Sequence, residues 1–213
     1  MRLVLIFIIG LLVLPPAHAE TPPHFKQVLP GYTYQFPRDD FSHDGFRIEW
    51  WYYTGNLQDA KGRPFGYQLT FFRVGLDGAN TMDNVSSWKI DHIYFAHMTI
   101  SDIHGEKFYF FERINRKGLN NAGAESDQLK VWNENWSLSA NQNAHHLQAQ
   151  EKTTGFNLKL TPIKKRILHG KDGISKKGSA DGNASHYFSF TRMHTEGEIF
   201  LKGEKFPVTG TSW

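Results

Sequence analysis

The chain has 213 residues, no cysteine and a formal net charge of +3, and 15% of its residues are aromatic. The lack of cysteine excludes disulfides, thiolate metal sites and cysteine nucleophiles. So small a net charge argues against nucleic acid as a partner. The length predicts one β-type domain, or at most two small ones, and the aromatic content predicts a large core.

Residues 1–19 have the three features of a secretory signal peptide. Arg2 provides a positive charge, residues 3–14 are almost entirely apolar, and residues 17–19 (AHA) form a small-x-small cleavage site. The apolar run is about 12 residues long, whereas a membrane span needs roughly 20. Cleavage after Ala19 is therefore favoured over a retained anchor. We expect a secreted protein, most simply one of a bacterial periplasm.

Residues 20–44 are rich in proline and predict an extended arm lying over a folded domain of residues 45–213. The domain shows no helical periodicity, and short alternating segments are separated by turn residues instead. Residues 75–91 and 161–183 predict long loops. Many short strands joined by local turns predict an all-β fold, an antiparallel barrel or sandwich. The first strand starts at residue 46 and ends at a turn over 59–62, and the others are 65–74, 92–101, 106–113, 129–133, 136–140, 145–150, 156–160, 184–193, 198–201 and 205–209.

The run EWWYY at residues 49–53 is the most unusual in the chain. On a strand, Glu49 and Trp51 share one face, so that the carboxylate lies beside an aromatic wall. Such surroundings favour the neutral acid, which suits an acid catalyst. A structural ion pair of Glu49 with Arg47 or Arg73 is the alternative.

Histidine and arginine provide the other polar candidates. His97 lies inside an apolar predicted strand, where it is either a proton-transfer group or a hydrogen-bonded core histidine. Arg73, Arg113 and Arg192 each follow aromatic residues of a strand, where a guanidinium orients a buried carboxylate or ligand oxygen, or forms an ion pair at a rim. None of the eleven histidines belongs to a metal-binding spacing, so neither a metal nor another cofactor is expected.

The predicted loop 161–183 concentrates the positive charge of the chain. It carries six Lys or Arg residues against two Asp, a local charge of +4. Because this exceeds the charge of the whole chain, the remainder is slightly acidic. Residues 164–177 form either a weak contact with anionic lipid head groups or a solvated loop.

Six segments follow one another in a recognisable order: FRIEWWYYTGNL (46–57), GRPFGYQLTFFR (62–73), FAH (95–97), VWNENWSL (131–138), HGKDGISK (169–176) and NASHYFSFTR (183–192). Together they resemble the AttH / CrtC-type carotenoid 1,2-hydratase family, whose members are often labelled predicted secreted hydrolases. The first two segments are the most specific, and the match runs from about Tyr34 to Trp213.

The resemblance implies a lipocalin-like fold, an antiparallel β-barrel or sandwich that is the first of two such domains. In the family, the pattern continues beyond Trp213 into an acidic W-x-D-x-E stretch and a second domain, so we expect this chain to be truncated. If the acid catalyst lies in that stretch, the chain is incomplete as an enzyme. A second domain or self-association is then the expected cover for its exposed surface.

Characterised members of the family resemble enzymes that add water to a terminal C=C bond of acyclic carotenoids. This reaction needs an acid, an apolar pocket and aromatic faces that tolerate a carbocation. The resemblance implies that this protein binds a small hydrophobic substrate, polyene or lipid-like, and hydrates or hydrolyses it. A non-catalytic lipocalin-like carrier and an inactive fragment are the alternatives. The catalytic candidates are Glu49 and His97, and the expected substrate-binding residues are Trp50, Trp51, Tyr52, Phe71, Arg73, Tyr187, Arg192 and Trp213.

Overall fold

The computed structural model describes residues 25–76 and 90–213. The predicted signal peptide and most of the predicted loop 75–91 lie outside these residues. A short 3-10 helix, Arg38–Asp40, precedes fifteen strands in the described part of the chain. The strands are β1 (Ile48–Asp59), β2 (Pro64–Gly75), β3 (His92–Asp102), β4 (Lys107–Arg116), β5 (Ala122–Ala124), β6 (Lys130–Asn133), β7 (Trp136–Asn141), β8 (Ala144–Glu151), β9 (Thr154–Pro162), β10 (Ile167–Leu168), β11 (Ile174–Lys176), β12 (Ala184–His186), β13 (Phe188–Ser189), β14 (Met193–Leu201) and β15 (Glu204–Ser212).

Eleven of these strands form one antiparallel sheet, in the order β4-β3-β2-β1-β15-β14-β9-β8-β7-β6-β5. The last strand, β15, pairs with the first, β1, with Leu57 opposite Gly210. The two ends of the strand sequence therefore meet in the middle of the sheet. The sheet curves into a nearly closed barrel, which confirms the predicted all-β antiparallel architecture.

Side chains join the two edges of the sheet across the remaining gap. Asn133 of β6 is fully buried and donates from Nδ2 to the carbonyl of Tyr94 in β3 at 3.2 Å. Arg113 of β4 donates from Nη1 to the carbonyl of Asn133 at 3.1 Å and pairs with Glu151 at 3.1 Å. Arg113 is thus an ion-pair residue of the barrel rim. Polar side chains here connect strands that are not neighbours in the backbone ladder.

The core fills the barrel because alternate residues of each strand turn their side chains inward. Tyr94, Ala96, Met98 and Ile100 of β3 are completely buried, whereas the residues between them are only partly so. Trp136 is also completely buried, and its indole N–H donates to a backbone carbonyl at 3.1 Å. Since apolar burial stabilises by about 25 cal/mol per Å², this core of aliphatic and aromatic side chains is the main source of the barrel's stability.

Residues 161–192 depart from the prediction of one loop followed by one strand. β13 pairs with β10 and β12 pairs with β11, in two separate two-stranded ribbons, and β14 begins only at Met193. The predicted single strand 184–193 is therefore wrong, because its first residues pair with the preceding segment instead of the barrel. The hydroxyl of Tyr34 donates to the carbonyl of Gly173 at 2.8 Å and ties these ribbons to the N-terminal segment.

Residues 25–47, which we call the arm, are fixed to the barrel by backbone hydrogen bonds. The amide of Gly75 donates to the carbonyl of Arg47 at 2.7 Å, and the amide of Ser42 donates to the carbonyl of Glu125 at 3.0 Å. The arm is thereby held at the end of β2 and at the connection between β5 and β6. The described residues include no helix long and apolar enough to cross a membrane.

Candidate functional site

A cavity of about 660 Å³ lies between the arm, β1 and residues 182–190. Small-molecule sites have volumes of roughly 300–1,000 Å³, so this cavity is large enough for a ligand. Aromatic residues make up much of its lining, and several of those expected to bind substrate are among them. These are Trp50, Trp51, Tyr52, Tyr187 and Trp213.

One wall of the cavity is polar because the arm brings ionisable groups to β1. Asp39 and Asp40 come from the 3-10 helix, His43 follows it, and Glu49 belongs to β1. The buried carboxylate of Asp39 accepts hydrogen bonds from the Tyr32 hydroxyl at 2.8 Å and from a backbone amide of the arm at 2.6 Å. Burial, with the hydrogen bond and charge of Asp39, raises the pKa of Tyr32 to about 12, so that the hydroxyl remains a donor.

His43 connects two of these carboxylates, and we call Asp39, His43 and Glu49 the acid–imidazole cluster. Nδ1 of His43 lies 2.8 Å from Oε1 of Glu49, and Nε2 lies 3.3 Å from Oδ1 of Asp39. Burial alone lowers the pKa of His43, but the hydrogen bond and charge of Glu49 outweigh it, and the pKa is raised. The neighbouring carboxylates therefore favour the protonated imidazole. In the described part of the chain, no three His, Asp or Glu side chains are arranged to hold a metal ion.

Glu49 is also the partner of Arg73, which lies opposite it in the β1–β2 ladder. Arg73 is completely buried, and its Nε donates to Oε2 of Glu49 at 3.3 Å. Its Nη2 donates to the carbonyls of His43 and Phe46, at 2.8 and 2.9 Å. The ion-pair alternative for Glu49 is thus realised with Arg73, while the same glutamate lines the cavity.

Asp40 forms a second ion pair at the cavity, with Arg166. The guanidinium donates from Nε to Oδ1 of Asp40 at 3.2 Å and from Nη2 to Oδ2. Burial raises the pKa of Asp40, and Arg166 offsets only part of that effect. The guanidinium also lies between the rings of Phe36 and Phe190, 4.3 and 4.4 Å from their centres. This contact holds the arm against the segment that follows β9.

Tyr53 and His145 place a neutral polar pair in the cavity lining. The Tyr53 hydroxyl lies 2.7 Å from Nδ1 of His145, and both side chains are buried. Burial, together with the charges of Arg166 and His146, lowers the pKa of His145 to about 4. Burial raises the pKa of Tyr53. Neither group therefore carries a charge at neutral pH, and the pair suits an apolar ligand with a hydroxyl or carbonyl group.

His186 offers the cavity an unsatisfied polar atom. Its Nδ1 is shielded from solvent and has no hydrogen-bond partner among the described residues. The ring lies 4.3 Å from that of Tyr32, and burial lowers its pKa. Because buried polar groups are nearly always hydrogen-bonded, a bound ligand or water is the expected partner.

The remaining residues expected at the site do not reach the cavity. Strand alternation turns His97 to the outer face of β3, where its Nε2 contacts Oε2 of Glu112 at 3.0 Å. Phe71 belongs to the buried core, and Arg73 lies behind Glu49. Arg192 is an exposed residue just before β14. In the described structure none of these four expected residues lines the cavity.

Sequence reasoning missed Asp39, Asp40 and His43, because it assigned them to an extended arm without chemistry. The available signal was the density of acidic residues and histidine just before Glu49 (RDDFSHDGFRIE, residues 38–49). His145 was examined only for metal binding, and its contact with Tyr53 joins residues 92 positions apart. Such a contact leaves no local pattern.

A comparison with known protein families shows the family to which the chain belongs. The model of AttH-like proteins matches residues 27–213. The chain belongs to the AttH-like family. The family resemblance inferred from the six sequence segments is thus confirmed.

Two solved structures share the fold of this AttH-like chain. A protein assigned as an AttH from Nitrosomonas europaea is 32% identical with a TM-score of 0.79, over 89% of this chain and 56% of that chain. Kievitone hydratase from Nectria haematococca is 11% identical with a TM-score of 0.60, over 90% of this chain and 56% of that chain, and it shows the fold alone. The AttH-like chain therefore spans little more than half the length of either protein. No protein of curated function matches it.

Proposed function

We propose that this AttH-like protein binds a hydrophobic, polyene-like or lipid-like substrate in the aromatic cavity and adds water to it, as a hydratase or hydrolase. The proposal rests on one observation: the acid–imidazole cluster forms part of the wall of an aromatic cavity. The fold shared with a protein named kievitone hydratase is consistent with this chemistry.

The aromatic lining suits an extended apolar substrate. Trp50, Trp51, Tyr187 and Trp213 present flat surfaces to the cavity, and burial of such surfaces drives binding. Aromatic faces also stabilise a positive charge that develops on the substrate. The indole N–H of Trp51 donates to the carbonyl of Asp40 at 3.1 Å, so this ring is fixed in place before a ligand binds.

Hydration of a C=C bond and hydrolysis of an ester both consume one water molecule, and both need groups that give and receive a proton. His43 is best placed for this role, because its Nε2 contacts, to Asp39 and Arg38, are both 3.3 Å long. The Nδ1 contact with Glu49 is shorter, at 2.8 Å. Because its contacts are the longer ones, Nε2 is the nitrogen that can exchange them for a hydrogen bond to a substrate or a water molecule.

Glu49 receives a different role from the acid catalyst that the sequence suggested. One of its oxygens contacts Nδ1 of His43, and the other accepts from the amide of His43 and from Arg73. Both oxygens are occupied inside the protein. We assign Glu49 as a positioning residue that orients the imidazole and favours its protonated form.

A non-catalytic carrier is the second candidate function. It is favoured by the internal pairing of the ionisable groups in the cavity lining, such as Asp40 with Arg166 and Tyr53 with His145. A lining of this kind binds an apolar molecule without offering it a free charge.

The test measures binding and turnover separately. Binding of an acyclic polyene and a long-chain fatty ester is followed by tryptophan quenching, and product formation by chromatography. We expect both saturable quenching and product, with His43→Ala losing about 100-fold or more in turnover while retaining binding. The control is His194→Ala, an exposed histidine of β14, which should retain both. Saturable quenching without product would establish the carrier, and no quenching would reject both functions.

The positioning role of Glu49 has its own test. Glu49→Gln removes the charge that raises the pKa of His43, so the limb of the pH–rate profile that reports His43 should move to lower pH. Glu112→Gln alters a glutamate that contacts a histidine on the outer face of the barrel and is the matched control. An unchanged profile in Glu49→Gln would remove Glu49 from the mechanism.

A further inference from the structure

We infer that residues 163–168 form a surface that docks the protein on an anionic lipid membrane. The segment follows β9 and includes β10, the first strand of the ribbons, and it contains no member of the acid–imidazole cluster. Docking at this surface goes beyond the proposed function and does not depend on turnover in the cavity.

The segment combines exposed apolar side chains with unpaired positive charge. Ile163, Ile167 and Leu168 are 57%, 46% and 42% exposed. Lys164 and Lys165 stand between them and are exposed as well. Among the described residues, no carboxylate forms an ion pair with either lysine. Apolar side chains that enter the head-group region, flanked by lysines that attract anionic lipid, are the two components of a peripheral membrane contact.

A shallow groove of about 570 Å³ runs along the same surface. Lys164, Lys165 and Arg166 line it together with apolar groups such as Phe36 and Leu168. Arg166 is already paired with Asp40, so the two lysines supply the free charge. The groove therefore offers positive charge to a phosphate-bearing head group and apolar walls to the first carbons of an acyl chain.

The charge of the surrounding surface favours an anionic membrane over an uncharged membrane as the partner. The segment 161–183 has a net charge of +4, whereas the whole chain has +3. Its two acidic residues, Asp172 and Asp181, are exposed and lie outside the groove. Among the described residues, no acidic side chain lines the groove, so Lys164 and Lys165 give this surface electrostatic complementarity to an anionic membrane.

The surface adjoins the aromatic cavity. Phe190 lines both the cavity and the groove, and the Arg166–Asp40 pair lies between them. A membrane held against residues 163–168 would therefore lie beside the cavity wall. If the proposed function holds, this arrangement brings a hydrophobic substrate from the lipid to the site.

Vesicle co-sedimentation tests the inference with the full chain. The probes are vesicles of phosphatidylcholine alone and vesicles of an equal mixture of phosphatidylcholine and phosphatidylglycerol. We expect binding to the anionic vesicles only, and we expect high salt to abolish it, because ions screen the surface charge. In the double variant Lys164→Glu/Lys165→Glu, partitioning should fall by about 25-fold or more, since each basic residue contributes about five-fold.

The matched control is Lys61→Glu/Lys202→Glu, which makes the same charge change in turns at the opposite end of the barrel. It should bind like the unmodified protein.

Ile163→Ser/Ile167→Ser tests the apolar side chains. It keeps the net charge and should also weaken binding, and a cooperative thermal transition shows that each variant is folded. The inference is overturned if the unmodified protein stays in solution with anionic vesicles, or if both charge-reversal variants lose binding equally.

Discussion

At the scale of single residues, Arg73 organises the polar wall of the cavity without touching a ligand. Its guanidinium donates hydrogen bonds to Glu49 and to two backbone carbonyls of the arm. Glu49 in turn fixes the ring of His43. A buried guanidinium has five donors in a rigid fork, so one side chain can fix several acceptors at once.

Arg73→Ala should therefore destabilise the protein strongly. The change removes hydrogen bonds to three acceptors and leaves Glu49 without its buried cation, which costs about 3–5 kcal/mol when such a pair is broken. Urea unfolding measures the difference in the free energy of unfolding. Arg192→Ala, at an exposed arginine, should stay within about 0.5 kcal/mol of the unmodified protein. Equal effects of the two substitutions would contradict the role of Arg73.

His145 predicts a loss of stability in mild acid. Its pKa is about 4 in the folded protein, against 6.5 for a solvated histidine such as that of the unfolded chain. Between pH 4 and pH 6.5 the unfolded chain therefore binds a proton that the folded protein does not. Its contribution to stability is full above pH 6.5 and is lost as the pH falls toward 4, by up to about 3 kcal/mol. The pKa of His43 is raised in the folded protein, so His43 has the opposite effect on stability. Its contribution to the free energy of unfolding is lost as the pH rises through the pKa that His43 has in the folded protein.

The measurement is the free energy of unfolding as a function of pH. His145→Gln should flatten the acid side of the curve, because the group that binds the extra proton in the unfolded chain is gone. His194→Gln changes an exposed histidine of β14 and should leave the slope nearly unchanged. An acid slope that survives His145→Gln intact would show that other groups cause it.

At the scale of elements, the arm and the ribbons build the cavity on a barrel that already has its own core. The arm contributes carboxylates and His43, the ribbons contribute Tyr187 and Phe188, and β1 contributes the wall between them. The Arg166–Asp40 pair joins the arm to the chain after β9. The site therefore depends on contacts between segments that have little regular structure of their own.

Arg166→Ala should loosen the arm while the barrel stays folded. The substitution removes the partner of Asp40 and the guanidinium between Phe36 and Phe190. We expect faster amide hydrogen exchange in residues 25–47 and an unchanged rate in β8 and β9, measured by mass spectrometry. Lys165→Ala, at the exposed neighbouring position, should leave both rates unchanged. Equal protection of the arm in the two variants would argue against this role of Arg166.

At the scale of the whole molecule, the edge strand β4 exposes several apolar side chains on the outer face of the barrel. Phe108, Phe110 and Ile114 of the edge strand β4 are 66%, 54% and 56% exposed. Exposed apolar side chains next to one another mark surfaces that associate. An edge strand also has backbone groups free to pair with another strand.

Phe108→Ser/Phe110→Ser should therefore reduce self-association. We expect the purified chain to sediment as more than a monomer at high concentration, and the double variant to shift toward the monomer. The control is Leu29→Ser/Leu119→Ser, at leucines that are 51% and 79% exposed outside β4. A monodisperse monomer of the unmodified protein by light scattering would contradict the expectation.

Part of the site could be predicted from sequence because some of its residues belong to one strand. The run EWWYY supplied four lining residues, Glu49, Trp50, Trp51 and Tyr52. Alternation puts Glu49 and Trp51 on the face opposite Trp50 and Tyr52, so it did not by itself predict that both pairs line one cavity. His97 was a candidate because it lies inside an apolar predicted strand, and only the folded sheet shows that its side chain is on the outer face. The sequence pattern at 184–190 favoured a barrel strand, and only tertiary pairing assigned these residues to the ribbons.

The sequence by itself determined the all-β class and most of the barrel strands, because a period of two and turn residues act over a few neighbouring positions. Its six motif segments determined the family. Only the tertiary structure decided which polar groups meet in the cavity. Tyr53 contacts His145 across 92 positions, and Asp40 contacts Arg166 across 126. The physical reason is that ion pairs and buried hydrogen bonds depend on distance in space, and local periodicity carries no information about partners so far apart in the chain.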